Sequence, residues 1–505
     1  MGCLAIHAAT LRGVSAEHVT VEVALSSGLP SITIVGMPST TVLESRNRIR
    51  CAISQCGFEV PRMGVTVNLA PSDVKKSGTG LDLPMAIAIL AASGQIPTAG
   101  LDSCLFVGEL GLGGAVSEVR GGIAYAMLAR DLGLSLVGSS PLVSGTCSAG
   151  AAREPLVLDN ISCLKRSVAS LSGAVSVAEP FVSREVSSLD FADVVDQEAA
   201  KRALVIAACG NHGALMCGPP GSGKTMLAKR MPTILPPLEE SEALEAMLIH
   251  SVCGLPIDDI SAGRRPFRAP HHSVSRAGLV GGGSPITPGE ASLAHRGVLF
   301  LDELPEFSPS VLQALRQPME DGEVRLVRAE GTFAFPSVFQ LIAAANPCPC
   351  GHAGDRGHVC RCTPAQIARY QTRVGGALMD CIDVFVDVAR PAASSVIKGG
   401  EGMSSADMAS QVRVGRAFAS WRAAKGHAGH AGSVETCALS PEAQSLLELM
   451  AERLSLGGRA IARTARVART IADLSERELV STDDVAEACA FRSRYALGGE
   501  GGGGA

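Results

Sequence analysis

The first 170 residues alternate between strand-like and helix-like patterns of apolar positions. The run HVTVEVAL alternates polar and apolar residues from His18 to Leu25, and this run, SITIVGM, GVTVNLAP and CLFVGELGLGG predict strands. ESRNRIRCAISQCGF has the spacing of an amphipathic helix, LDLPMAIAILAAS predicts a buried helix, and GGIAYAMLAR predicts a further helix. The pattern indicates an α+β or α/β unit over residues 1–171, and the Ser/Val/Glu-rich residues 172–189 predict a linker.

The rest of the chain divides into a second mixed unit and a helical unit. Apolar strands and helices over residues 190–391 predict a second α/β unit, and the Gly/Ser/Ala-rich residues 392–410 predict another linker. Residues 411–495 have helical periodicity, and the segment STDDVAEACA begins with a pattern that resembles a capping box. The glycine-rich residues 496–505 are low in complexity, so we expect a disordered tail.

The composition is that of a globular chain, and it excludes two classes of nucleic-acid binder. The 505 residues are 46% hydrophobic and 18% charged, which fits about three domains of roughly 150 residues. Aromatic residues make up 3%, too few for the rows of stacking rings that bind single strands. The 44 basic and 49 acidic residues give a net charge of −5, which excludes a surface coated in basic residues but is compatible with a local basic channel.

Cysteine usage and the apolar stretches bear on where the protein works. Sixteen cysteines are spread along the chain, and no cationic, apolar segment stands at its start. This pattern predicts a reducing compartment, and we expect a cytoplasmic protein. The longest charge-free apolar stretch begins at Leu83 but is interrupted by Ser, Gly, Gln and Pro. A membrane span needs about 20 apolar residues, so we expect no transmembrane helix.

The segment GPPGSGKT matches the pattern of a phosphate-binding loop at every position. It follows the apolar run ALMC and precedes MLAKRM, so it is predicted to join a strand to a helix. Its glycines allow backbone N–H groups to surround phosphate oxygens. Lys224 is predicted to reach the β- and γ-phosphates of ATP, and the Thr225 hydroxyl to bind Mg²⁺. The predicted nucleotide-binding residues are Gly218, Pro219, Pro220, Gly221, Ser222, Gly223, Lys224 and Thr225.

Two later strands end in the polar residues that ATP hydrolysis needs. GVLFLDE places Asp302 and Glu303 after an apolar strand, and FQLIAAANP places Asn346 after another. We predict that Asp302 holds Mg²⁺ and that Glu303 polarises the attacking water, since phosphoryl transfer depends mainly on positioned charge around the phosphate. Asn346 is predicted to orient that water. The order of loop, carboxylates and asparagine is that of AAA+ ATPases.

Together, several segments resemble one protein family over residues 3–495. These are GPPGSGKT, SLAHRGVLFLDELPEF, RQPMEDGEV, AANPCPCG, VARTIADL, GLPSITIVGMPSTTVLESRNRIRCAI and FVGELGLGGAVSEVRGGI. They are similar to the Mg-chelatase-like AAA+ proteins of the ComM/YifB family. The resemblance implies a Lon-protease/ribosomal-S5-like N-terminal domain, an AAA+ P-loop α/β domain and a C-terminal helical lid. It also implies ATP and Mg²⁺ as cofactors, a homo-oligomeric ring that is a hexamer, and a motor that drives branch migration of DNA during recombination.

An ATP-dependent serine protease is the alternative that a Lon-like domain raises. Lon proteases place the nucleophile in a G-P-S-A-G turn and a lysine after a G-G-I turn. Here KKSGTGLDLP offers only the hydroxyls of Ser77 and Thr79, and GGI is followed by Ala124, Tyr125 and Ala126. A hydroxyl without an amine to take its proton is a poor nucleophile. We therefore expect no proteolysis, and a role for this unit in assembly or DNA contact.

Four cysteines in one short loop form a candidate zinc site. Cys348, Cys350, Cys360 and Cys362 lie within fifteen residues, in a loop rich in Pro, Gly and Arg that offers no apolar core for free thiols. Four thiolates are a common ligand set for structural Zn²⁺, although the C-x-C spacing is tighter than the usual C-x₂-C. Four reduced cysteines are the alternative, and His352 or His358 could replace one of the thiolates as a ligand.

The family resemblance also bears on the arginine that a neighbouring subunit supplies. The family pattern L-L-D-R-[IF]-D reads LMDCID here, so Cys381 stands where the family has arginine. We predict that Arg373, or else Arg369, takes the role of stabilising charge on the transferring phosphate. If neither does, hydrolysis is expected to be weak.

A second group of arginines lies on the last long predicted helix. Arg459, Arg463 and Arg466 fall within about 60° of one helix face. GGRAI resembles the G-A-R-G-L of AAA+ lids, which implies that Arg459, or else Arg463, contacts the γ-phosphate. A solvated basic face is the alternative.

Two arginine-bearing segments are candidates for DNA contact. RRPFRAPHHSVSRAGLVGGGS, at residues 264–284, is an insertion between the phosphate loop and the carboxylates, and GEVRLVRAEGTFAFP predicts a hairpin carrying Arg325 and Arg328. Such loops in the pore of a ring could hold the phosphate backbone without reading bases. Arginine and histidine in loops are often only solvated, and His271 and His272 could be structural.

Three functions remain open on these grounds. The first is an ATP-driven oligomeric motor acting on DNA. The second is a regulatory or scaffolding ATPase with slow turnover, which Cys381 supports. The third is a motor subunit for Mg²⁺ insertion into a porphyrin, which would require partner subunits.

Overall fold

A computed structural model describes most of the chain. It covers residues 3–144, 153–173, 189–328, 331–355, 357–374, 376–398, 402–427 and 434–492. Residues 174–188 of the predicted linker and the predicted tail lie outside the described residues, so these two assignments stay predictions.

The N-terminal unit is built on a seven-stranded mixed sheet. The strand order is β3-β4-β2-β1-β5-β8-β9; β2 runs antiparallel to both β1 and β4, and the other neighbours are parallel. The elements are β1 (Leu4–Arg12), β2 (Ser15–Ser26), β3 (Ser31–Val35), α1 (Thr40–Gln55), β4 (Gly64–Ala70), α2 (Asp82–Ala92), β5 (Cys104–Phe106), β6 (Glu109–Leu110), β7 (Val116–Ser117), α3 (Gly122–Leu132), β8 (Ser135–Gly138), α4 (Ser140–Ser144) and β9 (Leu156–Val157).

Burial explains most of these elements. In the middle of β2, Val19, Val21 and Val23 are fully buried, while the residues between them are partly exposed. Helix α2 is buried over nearly its whole length, as its continuous apolar sequence predicts. Strand β1 was not predicted; it pairs with β2 along nine residues, and its central run of alanines has little strand propensity of its own.

The second unit contains a five-stranded, wholly parallel sheet, which confirms the predicted α/β character. Its order is β11-β12-β15-β10-β16, so β10 lies between β15 and β16. The elements are α5 (Glu198–Gly210), β10 (Ala214–Cys217), α6 (Lys224–Arg230), α7 (Glu240–Cys253), α8 (Asp258–Ser261), β11 (Phe267–Arg268), α9 (Arg276–Val280), α10 (Glu290–Leu293), β12 (Val298–Leu301), α11 (Pro309–Ala314), α12 (Arg316–Asp321), β13 (Glu323–Arg328), β14 (Gly331–Pro336), β15 (Gln340–Ala345), α13 (Pro364–Gln371), α14 (Gly376–Met379) and β16 (Val384–Asp387).

The C-terminal unit is helical and shares a hydrophobic core with the parallel sheet. Buried residues of α16, α18 and α19 pack in one cluster with α5 and β10, and Arg202 on α5 forms a two-point ion pair with Glu487 on α19. A capping box at Ser481 and Asp484 begins α19, as predicted. The elements are α15 (Ala393–Lys398), α16 (Ser405–Arg422), α17 (Pro441–Arg453), α18 (Gly458–Leu474) and α19 (Thr482–Ala490).

Residues 392–410 differ from the predicted linker, because they contain α15 and the start of α16. Helix α16 begins earlier than the composition suggests. Ser404 accepts from the backbone N–H of Asp407, and Asp407 accepts in return from the N–H of Ser404. This local capping outweighs the low helix propensity of Ser and Gly in the stretch.

The N-terminal unit packs directly on the second unit at two places. Helix α3 lies on α7, where Ile123 packs in one cluster with Ala243. The turn between β1 and β2 lies against the β13–β14 hairpin, with the Arg12 guanidinium 5.7 Å from the centre of the Phe333 ring. Within the described residues, no helix combines the length and apolarity that crossing a membrane requires.

Candidate functional site

The phosphate loop lies at the carboxyl end of β10 and has the backbone shape that its glycines predict. Gly221 and Gly223 have φ angles of 76° and 94°, in the left-handed region that residues with a Cβ rarely adopt. Gly218 is required for another reason, because a Cβ there would lie 2.1 Å from the carbonyl oxygen of Val388. The loop then leads into α6 at Lys224.

Lys224 is held by the loop and by the neighbouring strand. Its ammonium donates to the carbonyl oxygens of Gly218 at 2.7 Å and Pro219 at 3.0 Å, and to Oδ1 of Asn346 at 3.2 Å. Asn346 follows β15, which is paired with β10 in the sheet. The structure therefore brings Lys224 and Asn346 together, as the sequence order suggested. Burial lowers the pKa of Lys224.

The two candidate Mg²⁺ ligands are in direct contact. The Thr225 hydroxyl donates to Oδ2 of Asp302 at 2.7 Å, and the other carboxylate oxygen of Asp302 accepts from the N–H of Glu303 at 2.9 Å. A hydroxyl and a carboxylate oxygen at this distance are hard donors of the kind that Mg²⁺ prefers. Thr225 and Asp302 therefore fit as the residues that would hold the ion beside the phosphate loop.

Glu303 stands on an unusual backbone position beyond the carboxyl end of β12. Its φ of 51° and ψ of 47° are left-handed, which is uncommon for a residue with a side chain. Its carboxylate is about half exposed and lies 3.4 Å from Nδ1 of His272. His272 also meets the edge of the Phe307 ring, with 6.4 Å between ring centres. Sequence analysis did not assign His272 to the nucleotide site.

The four cysteines of the loop after Asn346 converge. Their sulfur atoms all lie within 4.8 Å of one another, and three of the pairs are 3.4 to 3.7 Å apart. Tetrahedral Zn²⁺ with bonds of about 2.3 Å requires sulfur–sulfur distances of about 3.8 Å. The N–H groups of Arg361 and His352 lower the pKa of Cys350 to about 6, whereas contact with Cys350 and Cys348 raises the pKa of Cys360 and of Cys362. A bound cation would oppose this crowding of thiolate charge. Cys348, Cys350, Cys360 and Cys362 thus fit a structural zinc ion.

The histidines of this loop contact an aspartate instead of the thiols. Nδ1 of His352 lies 3.4 Å and Nδ1 of His358 lies 3.2 Å from Oδ2 of Asp355, whose side chain is nearly buried. The two rings stack with centres 4.7 Å apart. Because all four cysteines already meet, the structure favours them as one ligand set over the substitution of a histidine.

The cysteine loop packs against the phosphate loop. A Cβ at Gly351 would lie 2.6 Å from Cδ of Pro220, so this glycine allows close approach. Arg390, just beyond β16, donates to the carbonyl oxygen of Pro220 at 3.2 Å and lies 3.7 Å from the Asp355 carboxylate. Sequence analysis missed Arg390, since no local motif marks it. Its position links the shape of the cysteine loop to that of the phosphate loop.

Three arginines of α18 lie at the edge of the sheet opposite to the phosphate loop. Arg463 and Arg466 contact the Asp383 carboxylate, each at 3.7 Å, and Asp383 donates its N–H to the carbonyl oxygen of Gly213, just before β10. The four residues of β10 span about 13 Å between this edge and the phosphate loop. Burial opposes ionisation of Asp383, but the His212 hydrogen bond and the arginines together lower its pKa.

Arg459 is on the same edge, and 70% of its side chain is exposed. Its guanidinium lies 3.8 Å from the Asp380 carboxylate. Within one chain the structure does not bring Arg459 or Arg463 to the phosphate loop. Contact with the γ-phosphate of ATP would have to reach the loop of another subunit. Cys381 lies beside Asp380 at this edge, in the turn before β16.

Arg373 lies elsewhere, in a short turn after α13. Its guanidinium is half exposed and lies 3.7 Å from the Glu306 carboxylate, three residues beyond Glu303. Arg373 therefore stands near the carboxylates of its own chain. Its predicted role toward a neighbouring subunit stays a prediction.

Arginines of the insertion at residues 264–284 are less available for DNA contact than its composition suggests. Arg265 is bound to Glu242 at 3.0 Å, and Arg268 forms a two-point ion pair with Glu290 at 2.6 and 2.8 Å. These arginines are structural. The β13–β14 hairpin carries an Arg325 side chain that is 63% exposed although it pairs with Glu323, and an exposed Arg328.

The polar residues just before α2, in the segment that a protease would use, contact neighbouring groups of the N-terminal unit. A Cβ at Gly80, just before α2, would lie 3.5 Å from the hydroxyl of the buried Tyr125. Thr79 donates to Glu109 at 2.6 Å, and the fully buried Lys76 donates to the carbonyl oxygen of Pro71. The hydroxyl of Thr79 and the ammonium of Lys76 are therefore each engaged with other groups, and the expected absence of proteolysis stays a prediction.

Comparison with known proteins places the chain in a family. Residues 190–396 match the model "Magnesium chelatase, subunit ChlI", residues 21–137 match "Subunit ChlI of Mg-chelatase", and residues 402–492 match "Magnesium chelatase, subunit ChlI C-terminal". Uncharacterized protein YifB of Salmonella typhimurium is 39% identical, over 98% of this chain and 97% of its own length.

Two further relatives differ in how much of the chain they match. Competence protein ComM of Haemophilus influenzae is 40% identical, over 98% of this chain and 99% of its own length. The magnesium-chelatase 67 kDa subunit of Heliobacterium mobile is 30% identical over only 35% of this chain. Taken with the parallel sheet and its phosphate loop, these similarities show that the chain belongs to the Mg-chelatase-like AAA+ ATPase family that includes YifB and ComM.

Proposed function

We propose that the protein is an oligomeric ATPase that moves DNA, driving branch migration during recombination as the resemblance to ComM implies. One observation carries the ATPase part: Lys224, Thr225, Asp302 and Asn346, which are up to 122 positions apart in the sequence, meet at one edge of the parallel sheet. The near full-length similarity to a competence protein supports the DNA part.

In this proposal each residue at the edge has a separate task. Lys224 binds the β- and γ-phosphates, and Thr225 and Asp302 hold Mg²⁺, which neutralises charge that develops on the phosphates. Glu303 takes a proton from the attacking water, and Asn346 orients that water. His272, 3.4 Å from Glu303, acts as a positioning residue for the carboxylate.

The other units are assigned supporting roles. Residues 1–171 form the Lon-protease/ribosomal-S5-like unit and serve assembly, residues 190–391 hydrolyse ATP, and residues 411–495 form the lid. The subunits assemble as a hexameric ring, and the cysteine loop holds a structural Zn²⁺. The exposed arginines of the β13–β14 hairpin are the candidate DNA contact, because phosphate binding needs accessible cationic side chains.

An ATPase assay tests this function. Turnover is measured without DNA, with duplex DNA and with a branched junction, and strand exchange is followed on a labelled junction. The motor is expected to hydrolyse ATP faster with branched DNA and to move the junction only when ATP is hydrolysed. The Arg325→Ala/Arg328→Ala variant is expected to lose DNA stimulation and to keep basal turnover.

A slow or regulatory ATPase is the second candidate, and Cys381 favours it. The thiol stands in the turn before β16 where the family resemblance implies arginine, and it cannot supply a fixed positive charge. The same assay separates the candidates, because slow turnover that ignores DNA would support the scaffold. A chelatase motor is less favoured, since the near full-length relatives are YifB and ComM and metal insertion into a porphyrin would require partner subunits.

A further inference from the structure

A cavity of about 360 Å³ lies at the amino edge of the parallel sheet, where the strands begin. Its walls come from the end of α5, the starts of β12 and β15, and helix α16 of the C-terminal unit. Its lining includes the apolar side chains of Leu235 and Phe339 and the guanidinium groups of Arg265, Arg296 and Arg416. The phosphate loop is at the opposite edge, beyond the length of β10, so the cavity is separate from the ATP site.

The charge of the lining is positive. Glu242 is the acidic residue in the wall, and it pairs with both Arg265 at 3.0 Å and Arg296 at 3.4 Å. Arg296 also pairs with Glu245, outside the wall, at 2.9 Å. Three guanidinium groups thus face the cavity with two carboxylates to balance them.

Arg416 is the arginine that these carboxylates do not balance. Its Nε and Nη2 both donate to the carbonyl oxygen of Ala208, at 3.1 and 2.6 Å, and no carboxylate of the described residues lies within 4.0 Å of it. A guanidinium has five N–H donors, so the remaining ones have no described partner. Burial and the charge of Arg265 lower the pKa of Arg416, and the more distant charge of Glu242 offsets this only in part. The carbonyl of Ala208 belongs to the last turn of α5, so the partly negative end of that helix also faces the guanidinium.

We propose that this cavity binds a small phosphate-bearing ligand, with the phosphate on Arg416 and the rest of the ligand against Leu235 and Phe339. An anion restores the charge balance, and a planar guanidinium matches phosphate oxygens in a two-point contact. The volume is in the range of small-molecule sites, about 300 to 1,000 Å³. Because the wall includes α16, a bound ligand contacts both the C-terminal unit and the start of the sheet.

Titration of the full-length chain tests the proposal. The phosphate loop is first saturated with Mg²⁺ and a non-hydrolysable ATP analogue, and AMP, pyrophosphate or adenosine is then added in a calorimeter. AMP is expected to bind saturably, and adenosine, which lacks the phosphate, at least tenfold more weakly. Saturable binding of pyrophosphate alone would also support a phosphate site.

Matched variants locate the binding. Arg416→Leu is expected to weaken AMP binding at least tenfold, while Arg413→Leu, an exposed arginine on the same helix, leaves it unchanged. Ser420→Glu adds a carboxylate at an exposed wall position and should also weaken binding without disturbing the core. Absence of saturable binding by both phosphate probes, equal affinity for AMP and adenosine, or equal loss in the Arg413 and Arg416 variants would overturn the proposal. Binding of the ATP analogue reports separately on the phosphate loop.

Discussion

At the residue scale, the cation that is predicted to bind phosphate and the carboxylate that is predicted to activate water lie in different surroundings. Lys224 is buried and held by three oxygen acceptors, whereas the Glu303 carboxylate is half exposed on a left-handed backbone position. The three acceptors take all three N–H donors of the ammonium, so a phosphate would bind by replacing at least one of these contacts. The exposed carboxylate has access to water, which is the nucleophile in hydrolysis.

Two substitutions are expected to separate these tasks. Lys224→Ala should weaken ATP binding more than about tenfold, because a charge-assisted contact to phosphate is lost. Glu303→Gln should keep ATP binding and lower turnover by about 10² to 10⁴-fold, the usual worth of a general base. Nucleotide titration and a turnover assay on the same samples measure both effects. A Glu303→Gln variant that turns over at the unmodified rate would show that the carboxylate is not the base.

At the element scale, the cysteine loop supports the phosphate loop. Gly351 packs on Pro220, and Arg390 joins the Pro220 carbonyl to Asp355 within the cysteine loop. Short loops without a buried apolar core hold their shape poorly, and a bound metal can replace that core. A metal held by the four thiols would therefore stabilise the phosphate loop indirectly, through the packing of the two loops.

Metal removal is expected to affect ATP hydrolysis as well as metal content. Protein purified under reducing, chelator-free conditions should carry about one Zn²⁺ per chain, and the Cys348→Ser/Cys350→Ser variant should lose it. Turnover should fall when the metal is lost, because the cysteine loop that packs on Pro220 then holds the phosphate loop less firmly. Cys163→Ser, at an exposed cysteine of the N-terminal unit, is the matched control and should change neither quantity. Protein without zinc that keeps full turnover would contradict the link.

At the scale of the whole molecule, the candidate catalytic groups lie on two edges of one sheet. Lys224 and Glu303 are at the carboxyl edge, and the exposed Arg459 is at the amino edge beside Cys381. A single chain therefore cannot bring Arg459 to its own ATP. In a ring, the amino edge of one subunit can face the carboxyl edge of the next, and we propose that Arg459 completes the neighbour's site.

Mixing two variants tests this arrangement. Arg459→Ala is expected to lower turnover by up to about 10³-fold, since an arginine supplied by a neighbour can be worth 10³ to 10⁵ in rate. Lys224→Ala alone should be inactive. A mixture of the two should regain activity, because a Lys224→Ala subunit still offers Arg459 to an intact phosphate loop. Arg413→Ala is the exposed control and should match the unmodified chain. A mixture no more active than its parts would place Arg459 within its own chain or outside catalysis.

Short sequence patterns predicted the elements whose conformation is determined by neighbouring residues in the chain. Alternation in β2, the continuous apolar sequence of α2, the capping box of α19 and the phosphate loop are each settled by neighbouring residues, so each was predictable. The alanine-rich β1 was not, because its strand state comes from pairing with β2.

The sequence by itself determined the family, the α/β character and the chemistry of the phosphate site, because these rest on short motifs with fixed residue types. Tertiary structure alone decided which distant residues meet: His272 beside Glu303, Arg390 behind Pro220, and Arg459 far from the loop it was predicted to serve. These contacts depend on the order of strands in the sheet and on the packing of α18 against it. Local sequence does not encode that order, since it follows from burying the apolar faces of all elements at once.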